Sequence, residues 1–462
     1  MADREARVQS RSPYRPDDIV IDVPELSVGD VERHAEQARR ASEEWRRSPA
    51  PGRAAALNRA ADAVAGAAGE LATLIVREVG KPAPEAQGEV ARTVAILRYY
   101  AQQILDPDGE TFPTPDGRSL LMARRRPRGV VALITPWNFP IAIPLWKAAP
   151  ALAYGNAVLL KPASPATAIA TRVAELISPE LPEDLFRVAP GGSRVAQELI
   201  RHADAVSFTG SVETGNAVRD AATSHGIPVQ AEMGGQNASI VFADADPEAA
   251  AGQIAGAAMG YAGQKCTATS RVIVVGGRKG VVDALVAAVN GLGVGDPAAT
   301  GVQVGPVIDE RARDAVLEAA AEAKRQGGTV LTGGERGDGD GWVVLPTLID
   351  GLPPESSIAQ NEVFGPIASI HEAKDVETAI RIANGVRYGL VTSVYTNDVS
   401  RALWALERID TGLVKVNSPT TGVDFYAPFG GEKESSYGPR EQGKAAREFY
   451  SSVQTITVSP LG

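Results

Sequence analysis

Gly129-Val-Val-Ala-Leu-Ile134, closed by Thr135-Pro136, is the stretch that decides the fold. A run this short, apolar throughout and ended by turn residues, reads as a strand buried on both faces. The pattern recurs as Ala157-Val-Leu-Leu160 before Lys161-Pro162, and as Ala205-Val-Ser-Phe208 before Thr209-Gly210-Ser211. Ser239-Ile-Val-Phe242 and Arg271-Val-Ile-Val-Val275 follow. Helical patterns lie between these runs, so the chain builds βαβ units on parallel sheet. The pattern restarts around Glu232 to Gly235, which places a domain boundary there. Upstream, residues 29–106 read as three helices. Asp30 is the expected cap of the first, residues 52–79 form the second up to Gly80-Lys81-Pro82, and residues 84–105 form the third. Residues 106–117 read as a loop entering a hairpin, with Leu120 to Arg128 strand-like. The tail Val453-Gln-Thr-Ile-Thr-Val458 alternates like a strand at a sheet edge or between subunits.

Composition narrows the function classes. The 462 residues carry 46 Lys and Arg against 56 Asp and Glu, a net charge of −10, which disfavours nucleic acid as a partner. A single cysteine excludes an intrachain disulfide and a multi-cysteine metal site. His34, His202, His225 and His371 show no metal-binding spacing, so no metal is expected. Met1 to Pro13 is charged and has no apolar signal region. The longest apolar stretch, Gly129 to Leu160, is interrupted by Pro136, Asn138, Pro140, Pro144 and Lys147, so no membrane span is expected. The expectation is a soluble cytoplasmic protein.

Several residues stand in surroundings suited to chemistry. A lone cysteine is most often an inert buried residue. Cys266, however, sits in Gly263-Gln-Lys-Cys-Thr-Ala-Thr-Ser-Arg271, where a polar loop exposes sulfur beside backbone N–H groups. Glu232, in Ala231-Glu-Met-Gly-Gly-Gln-Asn-Ala238, ends an apolar approach and precedes two glycines that admit another chain or ligand. A carboxylate so placed can act as a base on water. Asn138 is fixed in Thr135-Pro-Trp-Asn-Phe-Pro140, and a rigid amide suits an oxyanion. Lys161 and Ser164 follow a buried strand at its carboxyl end, where dinucleotides bind. Gly210 and Ser211 open a helix whose N-terminus suits a phosphate. No GxGxxG fingerprint follows the first strand of this region.

In this order, TPWNFP (135–140), KPAS (161–164), FTGS (208–211), EMGG (232–235), GQKC (263–266), EVFGP (362–366) and PFGG (428–431) resemble the aldehyde dehydrogenase superfamily from about residue 13 to the end. The resemblance implies an α/β fold of two Rossmann-like parallel-sheet domains plus a small β oligomerisation element. Residues 13–106 and 127–233 form the dinucleotide-binding domain. Residues 234–445 form the catalytic domain, with about 433–445 free to return to the first. Residues 107–126 and 446–462 form the oligomerisation element, in a homodimer or homotetramer. Cys266 is then the nucleophile, Glu232 the general base, and Asn138 with the Cys266 backbone N–H the oxyanion hole. Lys147 and Glu441 match a proton-relaying pair behind the base. Lys161 holds the adenosine ribose and Ser211 the pyrophosphate. Glu362 and Phe364 position the nicotinamide side, with Thr135, Pro136, Trp137 and Gly234 also against the cofactor. The implied reaction is oxidation of a small aldehyde by NADP or NAD. Hydrolysis of the thioester is favoured over acyl transfer to coenzyme A, because Glu232 is present. A non-catalytic protein on the same fold is the competing reading, opposed by Cys266, Glu232 and Asn138 standing together.

AEMGGQNA (231–238), GQKCTATSR (263–271) and SSYGPREQG (435–443) are most similar to 2,5-dioxopentanoate (α-ketoglutaric semialdehyde) dehydrogenases. That implies a short keto-acid semialdehyde, with a medium-chain or aromatic aldehyde as the alternative. Phe139, Trp146, Phe425 and Tyr426 are assigned to the substrate tunnel. Two departures from the family pattern stand out. Only about a dozen residues, five of them charged, precede Ser12-Pro13, where the family carries an additional strand pair. NAD-preferring members commonly carry Glu at the position of Ser164, so acceptance of NADP is expected.

Overall fold

In the computed structural model, which describes residues 6–461, the buried runs form two separate sheets. The first has six strands in the order Ser436–Tyr437, Val229–Glu232, Ala205–Thr209, Val130–Thr135, Ala157–Pro162, Phe186–Val188. Every pairing is parallel except that of Ser436–Tyr437. The next strand after Val130–Thr135 lies on one side of it, and Ala205–Thr209 lies on the other. The strand order therefore reverses between them, opening a crevice at their carboxyl ends. The second sheet has seven strands: Thr329–Thr332, Thr347–Asp350, Ile367–Ala373, Thr269–Val275, Asn237–Phe242, Val391–Tyr395 and Leu413–Val416. Only the edge strand Thr329–Thr332 runs antiparallel. Leu120–Pro127 pairs with Gly109–Phe112 on one side and with the tail strand Ser451–Val458 on the other.

The local readings need three corrections. Residues 7–11 are not a free charged lead: Arg7–Arg11 pairs with Ile19–Pro24. Ser10 on this hairpin donates to the buried Glu78 at 2.7 Å, which fastens the hairpin to the helix Ala68–Val79. The first helix, Val28–Trp45, is capped by Ser27, with Asp30 as the reciprocal partner of a capping box. The Ala-rich segment is two helices, Ala50–Gly66 and Ala68–Val79, broken at Ala67. The third helix runs Ala83–Gln103. Among the described residues no helix is long and apolar enough to cross a membrane. Among the same described residues no group of three or more His, Cys, Asp or Glu is placed to hold a metal.

Arg271 shows how the second sheet is locked. It lies fully buried on Thr269–Val275 and meets no carboxylate. Its guanidinium donates to the Gln236 carbonyl at 3.0 and 2.6 Å, to Ile382 O at 2.7 Å and to Ala383 O at 2.9 Å. Burial holds its pKa down to about 9. Replacing it leaves the Gln236 and Ala383 carbonyls without that donor, while Ile382 O keeps the Gly385 N–H at 3.3 Å, and each buried orphan costs about 1–3 kcal/mol. Arg271→Met is therefore expected to lower unfolding free energy by about 2 kcal/mol or more, measured by urea denaturation of the purified variant.

Candidate active site

Two cavities meet at the crevice of the first sheet. One, of about 650 Å³, is lined by Thr135, Pro136, Trp137, Lys161, Ser164, Gly210 and Ser211 among others. The second, of about 340 Å³, shares Pro136, Trp137, Gly210 and Ser211 and adds Asn138, Gly234, Cys266, Glu362 and Phe364. The two form one channel that ends at sulfur. Thr135 and Thr209 each place a buried hydroxyl here that has no protein partner. Ser211 caps the helix Val212–Ser224, accepting from Thr214 N at 3.3 Å. Its free N–H groups are suited to a phosphate. Lys161 Nζ bonds only the Pro162 carbonyl at 2.9 Å. Burial depresses its pKa to about 8, with Glu25 opposing.

Glycines bring the cysteine loop into this channel. Gly263 has φ +66°, and a Cβ there would strike the Gly365 carbonyl. A Cβ on Gly234 would strike the Glu362 carboxylate, and one on Gly235 would meet the Cys266 carbonyl at 2.5 Å. Asn237 Nδ2 donates to the Cys266 carbonyl at 2.7 Å and to the Ala268 carbonyl at 2.8 Å. Asn138 Nδ2 donates to the Gln264 carbonyl at 3.0 Å, which leaves its second N–H uncommitted. Phe364, at φ 58°, packs edge-on against Trp137 at 5.7 Å across the channel. Glu362 accepts from Gly235 N at 3.1 Å, and burial lifts its pKa to about 7.

Behind this channel lies a dry ionic cluster. Lys147 pairs with Glu441, both fully buried, and donates to Ser207 Oγ at 2.8 Å. Glu232 ends the strand Val229–Glu232 and is 2% exposed. Its Oε2 accepts from Ser436 at 2.5 Å, while its Oε1 has no partner. Burial, followed by the charge of Glu441, pushes its pKa well above the carboxylate range; Ser436 and Lys147 pull the other way.

The tunnel assignments fare differently. Neither cavity is lined by Phe139, Trp146, Phe425 or Tyr426. Trp146 is interior: its indole donates to Glu441 Oε2 at 2.8 Å and its ring faces Phe429 at 6.0 Å. Phe139 packs under the Lys81 ammonium at 3.9 Å. Phe425 is half-buried against Tyr99 at 5.7 Å, and Tyr426 is 59% exposed. Ser207, Asn237 and Ser436 were not singled out for roles from sequence. A polar residue inside the buried run Ala205–Thr209 is the signal that marks Ser207.

The Cys266 thiol is raised above its ordinary pKa by burial, and the nearby Glu362, Glu232 and Glu441 add to the effect. Its alkylation by iodoacetamide in the free protein should be slow at pH 7 and accelerate up to pH 10, because only the thiolate reacts. Glu362→Gln should speed the reaction above about pH 8, where Glu362 is ionised, and change it little below about pH 6. Mass spectrometry reads this without ambiguity, because the chain holds one cysteine.

Comparison with known proteins places this geometry in a family. The sequence matches the aldehyde dehydrogenase family over residues 1–456. It is 40% identical over 462 residues to the alpha-ketoglutaric semialdehyde dehydrogenase of Bacillus subtilis (strain 168), covering 98% of this chain and 95% of that protein. It is 38% identical over 458 residues to the alpha-ketoglutarate semialdehyde dehydrogenase of Haloferax volcanii, covering 96% and 94%. The crystal structure of betaine aldehyde dehydrogenase from Staphylococcus aureus in complex with NAD+ superposes with a TM-score of 0.94 at 31% identity, covering 98% of this chain and 92% of that one. With the family matched across nearly its whole length, the chain belongs to the aldehyde dehydrogenase family of oxidoreductases.

Proposed function

We propose that this enzyme oxidises 2,5-dioxopentanoate to 2-oxoglutarate with NADP or NAD, through a thioester on Cys266. The observation that carries the reading is the single channel joining Lys161, Ser164 and Ser211 to Asn138, Glu362 and Cys266. The unpartnered hydroxyls of Thr135 and Thr209 and the helix start at Ser211 fit a dinucleotide. Trp137 and Phe364 would flank its nicotinamide, and Lys161 and Ser164 its adenosine ribose. The bound cofactor supplies a hydride acceptor beside sulfur.

Cys266 loses its proton and its sulfur bonds the aldehyde carbon, while the carbonyl pair moves to oxygen. The free N–H of Asn138 donates to that oxyanion. Loss of hydride restores the carbonyl and leaves a thioester, which divides one hard step into two. Glu232, once deprotonated, takes a proton from water. The resulting oxygen attacks the thioester, the C–S bond breaks, and sulfur regains a proton. The substrate choice rests on the names of the relatives at 40% and 38% identity. The aromatic group Tyr99, Phe425 and Tyr426 favours a medium-chain or aromatic aldehyde as second reading. Specificity constants for 2,5-dioxopentanoate, pentanal and benzaldehyde decide between them. An advantage above about tenfold for the uncharged aldehydes sinks the first reading.

Cys266→Ala is expected to abolish oxidation while cofactor still binds. Glu232→Gln should give a burst of reduced cofactor and then a slow steady state. Asn138→Ala should lower turnover by roughly 10²–10³. Rapid-mixing absorbance at the reduced nicotinamide band checks all three.

Ser164 brings no negative charge to the channel, so a 2′-phosphate meets no carboxylate at that position. Lys161 is charged below about pH 8 and neutral above it, so its attraction for that phosphate is present below and lost above. The ratio of specificity constants for NADP over NAD should fall between pH 7 and pH 9. Ser164→Glu should move it toward NAD at every pH.

We also propose that the exposed three-stranded sheet joins a second copy of the chain, because its tail strand alternates intermediate and exposed residues along Ser452–Val458 and buries neither face. A light-scattering mass of 48.2 kDa at all concentrations would refute this.

A further inference from the structure

A keto-acid substrate requires a cation at its far end, because a carboxylate taken out of water without a partner is costly. The cofactor channel occupies one side of Cys266, so the aldehyde approaches from the other. Two elements pass beside the cysteine loop. On the helix Ala83–Gln103, Glu85 pairs at 2.8 Å with Lys265, the neighbour of Cys266 in sequence. Seven residues further, roughly 10 Å along the axis, stands Arg92. Another two turns on, Tyr99 meets Phe425. The second element, residues 418–426, starts beside the cysteine loop: Thr420 Oγ1 lies 2.9 Å from Thr269 Oγ1.

The carbonyls of this second element hold two cations. Val423 O accepts from Arg92 Nη1. Thr421 O and Gly422 O accept from Lys415 Nζ at 2.6 and 2.5 Å. Arg92 and Lys415 are both half-buried, and neither forms an ion pair among the described residues. Arg92 uses a single donor of its five, which leaves a planar fork open. Burial holds the Lys415 ammonium below its ordinary pKa; Asp424 opposes that and Arg92 adds to it. Two cations that burden each other in a partly dry place are the setting in which a bound anion is stabilised.

We propose that Arg92 and Lys415 form the subsite for the distal carboxylate of the substrate, a 2-oxo acid bearing its aldehyde at the other end. This rests on the substrate reading above. A five-carbon chain at full extension separates aldehyde and carboxylate carbons by about 5 Å. The rise of roughly 10 Å runs from Glu85, which anchors the residue before Cys266, to Arg92, so the substrate would lie along this helix away from the cysteine loop.

The test uses the full-length enzyme, with specificity constants for 2,5-dioxopentanoate and pentanal measured side by side. Arg92→Gln is expected to cost the charged aldehyde about 100-fold and Lys415→Gln about tenfold. The loss on pentanal should be at least tenfold smaller in Arg92→Gln, and Arg92→Lys should recover part of the activity. Equal losses on both aldehydes would mean that Arg92 only pins the segment at Val423, and would overturn the subsite. Undiminished preference for the charged aldehyde in both variants would overturn it too. A second measurement avoids turnover. 2-Oxoglutarate should protect Cys266 of the wild type from iodoacetamide, at concentrations at least tenfold lower than either Gln variant requires. No protection of the wild type overturns the subsite. Protection that both variants lose, in a wild type that nevertheless prefers pentanal, keeps the subsite and removes only the substrate reading.

Discussion

Two carboxylates, Glu232 and Glu441, are buried close enough to feel each other's charge, and the rest of the site is arranged around that cost. Glu441 has both oxygens bonded, one by Lys147 and the other by Trp146 at 2.8 Å. Glu232 has one oxygen bonded by Ser436 and the other bare. The less satisfied member of such a pair is the one that keeps its proton. It is therefore Glu232 that is raised well above the carboxylate range. A group held in that condition acts as a base only when its proton is drawn off, so the hydrogen bond from Ser436 has direct consequences. That bond favours the ionised form and opposes the effect of burial.

The same pair explains why a segment from the end of the chain returns to the first sheet. Ser436 pairs in register with Glu232 on the antiparallel edge strand, and Glu441 follows five residues later. Phe429 and Glu441 are bonded backbone to backbone at 2.7 and 2.8 Å, which sets the carboxylate over Lys147. The cysteine loop comes from the other side, on the second sheet, held by Asn237 and Asn138. Chemistry therefore sits where the two sheets face each other, and close passage there depends on Gly234, Gly235 and Gly263. A Cβ on Gly235 or Gly263 meets a backbone carbonyl that cannot step aside, whereas one on Gly234 displaces the Glu362 carboxylate.

What the sequence made legible follows from where the information is local. A buried strand ended by a turn residue can be read in a window of six, and Val130–Ile134, Ala157–Leu160 and Ala205–Phe208 all lie within parallel strands of one sheet. Channel residues such as Thr135, Lys161 and Thr209 cluster in short motifs because each sits at the carboxyl end of such a strand. Other features were hidden by the same logic. Arg7–Arg11 buries only Val8 and Ser10, and its charged faces obscure the alternation. The break at Ala67 lies in a run of Ala and Gly that offers no punctuation. Trp146 looks like a tunnel residue by type, but its indole N–H is taken by Glu441, almost three hundred positions away in sequence. Arg271 opens an apolar strand, and the carbonyls that hold its charge come from segments that its own motif does not contain.

The adenosine end of the channel shows the limit of a motif most clearly. Within KPAS the only question is whether position 164 carries an acid, and Ser164 answers that it does not. The fold adds a carboxylate from elsewhere. Leu26 N bonds Pro190 O at 3.0 Å, which brings the segment after the first hairpin alongside the loop at Gly191. Glu25 thereby stands close enough to raise Lys161 against the effect of burial, and it also lies 3.7 Å from Arg194. The charge that a 2′-phosphate would meet is the sum over Glu25, Lys161 and Arg194, not the property of one position. A negative and two positive groups drawn from three separate segments leave that sum weakly positive while Lys161 is protonated, and close to zero once it is not. Selectivity between the two dinucleotides is thus carried by a lysine whose charge burial has made conditional.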